Sequence, residues 1–474
     1  MLQLPVTTLL PELCRTLAES RRAVVAAPPG SGKTTLIPLA LMDQPWLAGQ
    51  KILMLEPRRL ATRAAARRMA QLLAENVGEQ VGYQVRFERE ISSRTRIEVV
   101  TEGILTRRLQ QDPGLQGVGL VIFDEFHERS LHADLALALC LDVMENLRDD
   151  LRLLVMSATL DSRAVADLLG NAPVIIGEGR SHPVELRYLD RPAGADICES
   201  LAKGVVRAVA ETTGDLLAFL PGTGEIRRAE CLLRQQLPSE VALYPLYGDL
   251  SRADQDAALM PLPHGRRVVL ATSIAETSLT IEGISAVVDS GWSRRPRFDP
   301  NSGLSRLQTV RVSAASADQR AGRAGRLGPG LCYRLWTAAE QARLLPHQPP
   351  ELLEADLAPL VLELALWGVT EPDQLQWLDM PPAGAYAQAR ELLQRLDALD
   401  ARGRLTGTGR RMAGLALHPR LAHLLLSSGE PLDLSPALAG PHSEPDILLT
   451  QRATGRSTAQ RELLQSLACL SPVG

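Results

Sequence analysis

The stretch Ala26-Ala27-Pro28-Pro29-Gly30-Ser31-Gly32-Lys33-Thr34-Thr35 constrains the fold of this chain more than any other. It follows the apolar run Arg22-Ala23-Val24-Val25 and leads into Leu36-Ile37-Pro38-Leu39-Ala40-Leu41, so it joins a buried strand to a helix. Glycines let such a loop wrap closely, so that successive N–H groups and the positive end of the new helix face a phosphate. In that geometry Lys33 reaches the β- and γ-phosphates and the Thr34 hydroxyl ligates Mg²⁺. Ala27 stands where the first glycine of the usual pattern falls, which leaves the loop chemistry intact. The plain alternative is an ordinary strand–helix turn that happens to contain Gly-Lys-Thr. Nothing in the loop says what a nucleotide is used for.

A chain of 474 residues has room for about three domains. Its 45% hydrophobic and 22% charged content is that of a globular protein, with aromatics at only 3%, so its cores must rest on Leu, Ala and Val. Cys14, Cys140, Cys198, Cys231, Cys332 and Cys469 show no CxxC or Cys/His spacing, which speaks against a zinc site or a disulfide framework and for a reducing cytoplasm. The N-terminus lacks the basic region and long apolar core of a signal peptide, and no apolar run is long enough to span a bilayer. The net charge of −4 gives no hint of nucleic acid, yet the arginines bunch at 58, 59, 63, 67 and 68, at 86, 89, 94 and 96, and at 294, 295 and 297. Segregation of this kind creates a basic face on an acidic molecule, although solvated helix faces explain any single cluster equally well.

Taken in order, the first part alternates apolar strands with helical stretches. Strands are expected at 51–55, 97–100, 120–123 and 153–156, with a helix over 60–73. Each strand ends in polar residues, and the carboxyl ends of an open parallel sheet are where ligands bind. After the Gly/Pro-punctuated connector 177–183 the alternation restarts, with strands at 216–220, 242–244, 268–270 and 287–289 and helices over 224–235 and 252–260. Amphipathic helical patterns follow at 357–367, 385–399 and 415–426, with a short wing at 403–406. The expected fold class is α/β: two tandem parallel-sheet domains (1–178 and 179–340), a mainly helical region (341–410) and the start of a further helical segment (411–474).

Asp124-Glu125 directly after the apolar strand Leu120-Val121-Ile122-Phe123 supplies what a phosphate loop lacks. Asp124 is placed to hold Mg²⁺ beside Thr34, and Glu125 to polarise the attacking water. A helix N-cap is the simpler role for such acids, but it leaves the upstream loop unexplained. His127 is placed either to sense the γ-phosphate or to contact the other domain, unless it is a plain surface histidine. In Gln319-Arg320-Ala321-Gly322-Arg323-Ala324-Gly325-Arg326, helical geometry brings Arg323 and Arg326 to one spot. An arginine finger that stabilises the departing γ-phosphate is worth about 10³–10⁵ in rate. A solvated basic turn or a nucleic-acid contact is the alternative for that segment taken alone.

The ordered series 27–34, Pro57-Arg58-Arg59, Thr101-Glu102-Gly103, Asp124-Glu125-Phe126-His127, Ser157-Ala158-Thr159, 271–280 and 319–326 resembles a superfamily-two helicase of the DEAH/RHA group. Phe126 with Glu128-Arg129-Ser130 is similar to bacterial HrpB-type ATP-dependent helicases. The resemblance covers 5–425 and implies that the two parallel-sheet domains are RecA-like and close on ATP and Mg²⁺, that 341–410 is winged-helix-like, and that the protein moves 3′ to 5′ along single-stranded RNA or DNA. It implies phosphate contacts from Pro29, Gly30, Ser31, Gly32, Lys33, Thr34 and Thr35, metal contacts from Thr34, Asp124 and Glu125, and catalytic roles for Glu125, His127, Gln319, Arg323 and Arg326. Arg58, Arg59, Thr101, Thr272, Ser273 and Thr280 would touch the nucleic-acid backbone, and 297–311 would form a strand-separating hairpin. The expected protein is a monomer without membrane contact.

Two departures stand out. The family's adenine sandwich is matched by Arg68, but its aromatic partner falls on Leu259, which predicts relaxed base selectivity. The helical ratchet-like region over 411–474 reads as truncated or atypical. Competing classes are a P-loop ATPase of transport or protein remodelling, for which no anchor or alternative signature is seen, and a non-catalytic RNA-binding scaffold. Intact Lys33, Glu125 and Arg326 speak against the scaffold.

Overall fold

The computed structural model describes residues 4–158, 162–177, 182–276, 281–299, 303–415 and 417–427. Thr159, the connector 178–181, Thr280 with 277–279, the hairpin turn 300–302 and the segment 428–474 lie outside the described residues.

Two sheets carry the molecule. The first contains β1 (Arg22–Ala26), β2 (Lys51–Glu56), β3 (Val81–Val85), β4 (Glu88–Glu90), β5 (Ile97–Thr101), β6 (Val118–Phe123), β7 (Arg152–Ser157) and β8 (Val174–Ile176). Their order is β4-β3-β5-β2-β6-β7-β1-β8, parallel except for the β3–β4 hairpin. Strands such as Val-Gly-Leu-Val-Ile-Phe in β6 are buried at every position, the mark of a parallel sheet covered on both faces. The second sheet contains β9 (Val184–Tyr188), β10 (Asp215–Phe219), β11 (Val241–Leu246), β12 (Arg266–Ala271) and β13 (Ile284–Asp289). Between β13 and the last strand of this sheet, β14 (Trp292–Asp299) and β15 (Leu304–Arg311) pair as a separate antiparallel hairpin. The last strand is β16 (Gly330–Arg334), and the order is β11-β12-β10-β13-β16-β9, all parallel. The strands read from apolar runs are all present.

Helices Leu131–Asn146 and Ile197–Glu211 escaped the periodicity reading, as did β3, β4, β8 and β9. The first of them is apolar nearly all round, with twelve buried residues, because it lies between the first sheet and the C-terminal helices. A helix covered on every side shows no amphipathic stripe. The helix expected over 415–426 runs over Pro419–Ser427, and a separate helix that was not read, Gly407–Gly414, precedes it. Pro419 fits only the first turn of a helix, so the two cannot run on as one.

The winged-helix region rides on the first lobe. Helices Ala358–Trp367 and Ala383–Arg395 share one apolar cluster with Leu131–Asn146, and Trp367 Nε1 donates to Asp142 at 2.8 Å. Arg129 holds Asp134 at 3.0 Å and reaches Asp379 across the junction at 2.6 Å. The hairpin β14–β15 bridges the second lobe to the same region, where Arg295 Nη1 donates to Gln348 Oε1 at 2.8 Å, and beyond that region Arg420 Nη1 donates to the Gly303 carbonyl at 2.6 Å. Between the two sheets, Arg67 of helix Arg59–Leu72 meets Asp256 of helix Arg252–Leu259 at 3.0 Å, and Arg252 bonds Tyr83 at 2.7 Å. Among the described residues, no helix is long and apolar enough to cross a membrane.

Glu102, behind the carboxyl end of β5, accepts from Ser130 Oγ at 2.6 Å. Burial, and then the charges of Glu128, Glu351 and Asp134, push its pKa up to about 8. The folded chain therefore keeps a proton that the unfolded chain has released, and this contribution to stability falls as pH rises from about 4.5 to about 8. Glu102→Gln is expected to remove that slope. Its Tm should gain on the parent by at least about 2 °C between pH 5 and 8 in parallel thermal melts. A constant Tm difference across that range sinks the assignment.

Candidate active site

The phosphate loop leaves β1 at Ala26 and is tied to β7 by Ala27 N–H donating to the Ser157 carbonyl at 3.0 Å. Gly30 and Gly32 hold φ of +81° and +91°, the left-handed region that glycine reaches without strain. At Gly32 a Cβ would lie 2.8 Å from Leu4 Cδ1, which would have to move aside, but the backbone conformation is what disfavours a side chain there. Pro29 is half-buried, and the Ser31 hydroxyl is buried with no hydrogen-bond partner among the described residues. Lys33 opens the following helix and is itself buried, while Thr35 Oγ1 turns back to the Gly32 carbonyl at 3.4 Å.

The acids of β6 close over this loop. Thr34 Oγ1 donates to Asp124 Oδ2 at 2.5 Å, Asp124 Oδ1 accepts the Glu125 N–H at 2.8 Å, and Lys33 Nζ donates to Glu125 Oε1 at 3.2 Å. Glu125 adopts φ +50°, a conformation an L-residue holds only at a cost of about 1–3 kcal/mol when its surroundings demand it. Burial alone would lower the Lys33 pKa, but Glu125, Asp124 and Glu56 together hold it above the ordinary value. Burial pushes Glu125 up, yet Lys33 and then His127 bring it below the usual carboxylate range. Burial and the Glu125 charge raise Asp124.

The second lobe reaches into the same centre. His127 Nε2 lies 3.0 Å from Gln319 Nε2, and its Nδ1 lies 3.4 Å from Glu125 Oε2 and accepts the Ala158 N–H at 3.3 Å. The helix Ala314–Gly322 ends before the arginines, which follow in a 3-10 turn, Arg323–Gly325. Residues three apart eclipse in a 3-10 turn, so Arg323 and Arg326 still project to one side. A Cβ added at Gly30 would lie 3.8 Å from Arg326 Nε, which places that guanidinium directly over the phosphate loop. Burial brings the Arg326 pKa down to about 10, and burial together with Arg326 lowers Arg323 well below its ordinary value. Buried Arg323 and half-buried Arg326, beside an orphaned serine hydroxyl and two left-handed glycines, form a cradle that suits a polyphosphate.

The residues expected on nucleic acid lie at strand ends of both lobes. Thr101 ends β5, and Arg59 is exposed at the start of its helix. Arg58 turns inward, bonding the Ser273 carbonyl of the second lobe and Glu128 at 3.0 Å. Thr272 caps the turn Ser273–Ala275. Arg68 bonds only its helix neighbour Gln71, at 3.5 Å, among its described contacts, and Leu259 packs against the apolar cluster of the second sheet. Several residues of these sites went unread in the sequence. Glu56 is wholly buried beside Asp124, and its place at the end of the strand neighbouring β6 was the available signal. Phe87 is 78% exposed at the tip of β3–β4 with Arg86 over its ring at 4.9 Å, and the Arg86 guanidinium feels the charges of Arg107 and Arg59.

A glycine loop and acids on one parallel sheet, arginines from a second and an attached winged helix form the architecture of the helicase class. Residues 11–168 match the DEAD/DEAH box helicase family, 199–328 the helicase conserved C-terminal domain, and 389–417 the winged-helix helicase associated domain (HA2). The chain belongs to the superfamily-two DEAH/RHA helicases of the HrpB type. It is 52% identical over 429 residues to the ATP-dependent RNA helicase HrpB of Escherichia coli, a match covering 90% of this chain and 53% of that protein. Two crystal structures are also similar at 47% identity. That of the E. coli DEAH/RHA helicase HrpB has a TM-score of 0.88 over 99% of this chain and 60% of the other, and that of the E. coli DExH-box NTPase HrpB has 0.82 over 100% and 59%. The chain thus spans about half the length of the curated relative.

Proposed function

We propose that this chain hydrolyses ATP between its two α/β lobes and uses the cycle to move along single-stranded nucleic acid, RNA foremost, in the 3′ to 5′ direction. The observation that carries the reading is the approach of Arg326, from the second lobe, to Gly30 of the loop that positions Lys33. Lys33 and the loop N–H groups bind the triphosphate, Glu125 orients and deprotonates the attacking water, and Arg323 and Arg326 offset charge on the γ-phosphate. Gln319 and His127 hold the arginine segment against Glu125 across the gap. Mg²⁺ bound by Thr34 and Asp124 would neutralise phosphate charge. Few protein ligands suit this ion, which takes one or two carboxylates and completes its shell with phosphate and water. Accordingly, no group of three or more His, Cys, Asp or Glu able to hold a metal ion occurs among the described residues.

Arg59, Thr101, Thr272, Ser273 and Thr280 form the sequence-neutral backbone track in this proposal, with Arg58 linking it to the second lobe. Phe87 and its arginine neighbours extend that face with an exposed stacking surface. The hairpin β14–β15, braced by the winged-helix region, is the element that parts a duplex.

Phosphate release measured with and without poly(U) or single-stranded DNA tests the reading. Stimulation supports it, unstimulated turnover favours an ATPase of another class, and no turnover favours a binding scaffold. Glu125→Gln is expected to retain ATP binding and slow hydrolysis by about 10²–10⁴. Turnover at the parent rate removes Glu125 from the water-activating role. With aliphatic Leu259 at the position of the family's aromatic partner of Arg68, ATP, GTP and CTP should give kcat/KM values within about tenfold of one another. Strict ATP selectivity contradicts that expectation.

A further inference from the structure

Gln319, Arg323 and Arg326 have places in the proposed chemistry, whereas Arg320, within the same run, touches none of it. Arg320 is wholly buried. Its Nη1 donates to Asp289 Oδ1 at 2.8 Å and to the Trp292 carbonyl at 3.2 Å, and its guanidinium lies 4.8 Å from the centre of the Phe219 ring. Its Nε donates to Glu276 Oε2 at 3.0 Å.

Glu276 is the centre of this arrangement. Its other carboxylate oxygen accepts from Ser316 Oγ at 2.5 Å, and its backbone carbonyl accepts from Arg323 Nε at 2.9 Å. Ser316 and Arg320 lie on consecutive turns of the helix Ala314–Gly322, so one carboxylate clamps that helix at two points just before it delivers Arg323. On its other side Glu276 directly follows the turn Ser273–Ala275, and its N–H closes that turn on the Ser273 carbonyl at 3.0 Å. The same Ser273 carbonyl receives Arg58 from the first lobe. Buried charge-assisted bonds of this kind are hard to stretch one at a time, so the turn, Glu276 and the arginine segment shift together or not at all.

We propose that Glu276 is a positioning residue that fixes Arg323 beside Glu125 and passes displacement of the Thr272–Ala275 turn, on strand binding, to the arginine segment. The proposal rests on the ATP-driven reading above. Its contribution is the link between strand contact and chemistry.

The test uses the whole chain and compares Glu276→Gln, Glu276→Asp, Arg323→Ala and the Glu276→Gln/Arg323→Ala pair. Steady-state hydrolysis is measured with and without poly(U), together with the Kd of a fluorescent ATP analogue. Glu276→Gln is expected to lower the poly(U)-stimulated kcat at least about tenfold while KM and Kd change less than about twofold. Glu276→Asp, which keeps the charge, should recover part of that loss. The double variant should be within about twofold of Arg323→Ala alone, since the two residues act as one unit. Unchanged kcat, a loss confined to KM, or losses that multiply in the double variant overturn the proposal. If Glu276→Gln does not fold, Ser316→Ala removes one donor from the carboxylate. It should cost about threefold in stimulated kcat, and parent-like kcat in that variant overturns the proposal equally. A parent chain without turnover, or an Arg323→Ala variant at full rate, strikes the ATPase reading itself. Failure confined to the Glu276 variants strikes only this inference.

Discussion

Lys33→Ala is expected to abolish nucleotide turnover, leaving phosphate release at the level of a blank. Lys33 is the cation of a buried centre that holds Glu125 at 3.2 Å and has Asp124 and Glu56 close by. In the proposed cycle, removing it takes away the group that reaches the β- and γ-phosphates. It also leaves the carboxylates without their partner, so the pocket repels the triphosphate it should bind. Breaking a buried pair costs about 3–5 kcal/mol of stability, so a lower Tm should accompany the loss. Glu125, no longer held low by Lys33, would take up protons more readily and lose strength as a base. Phosphate release and fluorescent-nucleotide binding, measured side by side, check this. Turnover above about a tenth of the parent rate would show that Lys33 is not the phosphate ligand.

Arg326→Ala is expected to slow kcat by about 10³ while ATP affinity changes less than about threefold. The guanidinium lies over Gly30, where it can act on charge that develops at the γ-phosphate. Burial depresses its pKa to about 10, so the free protein carries the charge at a cost that ligand binding relieves. For a base with a lowered folded pKa, the folded state is penalised throughout the neutral range, because the unfolded chain holds the proton more tightly. Tm should therefore not fall when Arg326 is removed. This is the usual opposition between a prepared site and stability. A large rise in Kd with unchanged kcat would instead make Arg326 a ground-state binding residue.

The nucleotide half of the site was legible in local sequence because its geometry is local. A loop between a strand and a helix places Lys33 and Thr34 within a few residues, and a strand end places Asp124 and Glu125 in the same way. Strand existence was equally legible, since fully buried parallel strands are short apolar runs. Glu56, by contrast, differs in no local way from an exposed strand-end glutamate. Only the neighbouring strand β6, 62 or more residues later, makes it part of the centre. Helix Leu131–Asn146 was missed for the opposite reason, its apolar surface being continuous rather than striped.

Residue order and type were enough to establish two nucleotide-fold lobes, the family, and which side chains could meet a phosphate, because those features depend on contacts a few residues apart. Whether Arg326 reaches Gly30, whether Arg58 faces solvent or the second lobe, and which residue joins the Ser273–Ala275 turn to the arginines were settled by the packing of one lobe on the other. Those pairs are separated by up to several hundred residues along the chain, and no local propensity encodes a distance across two independently folded cores.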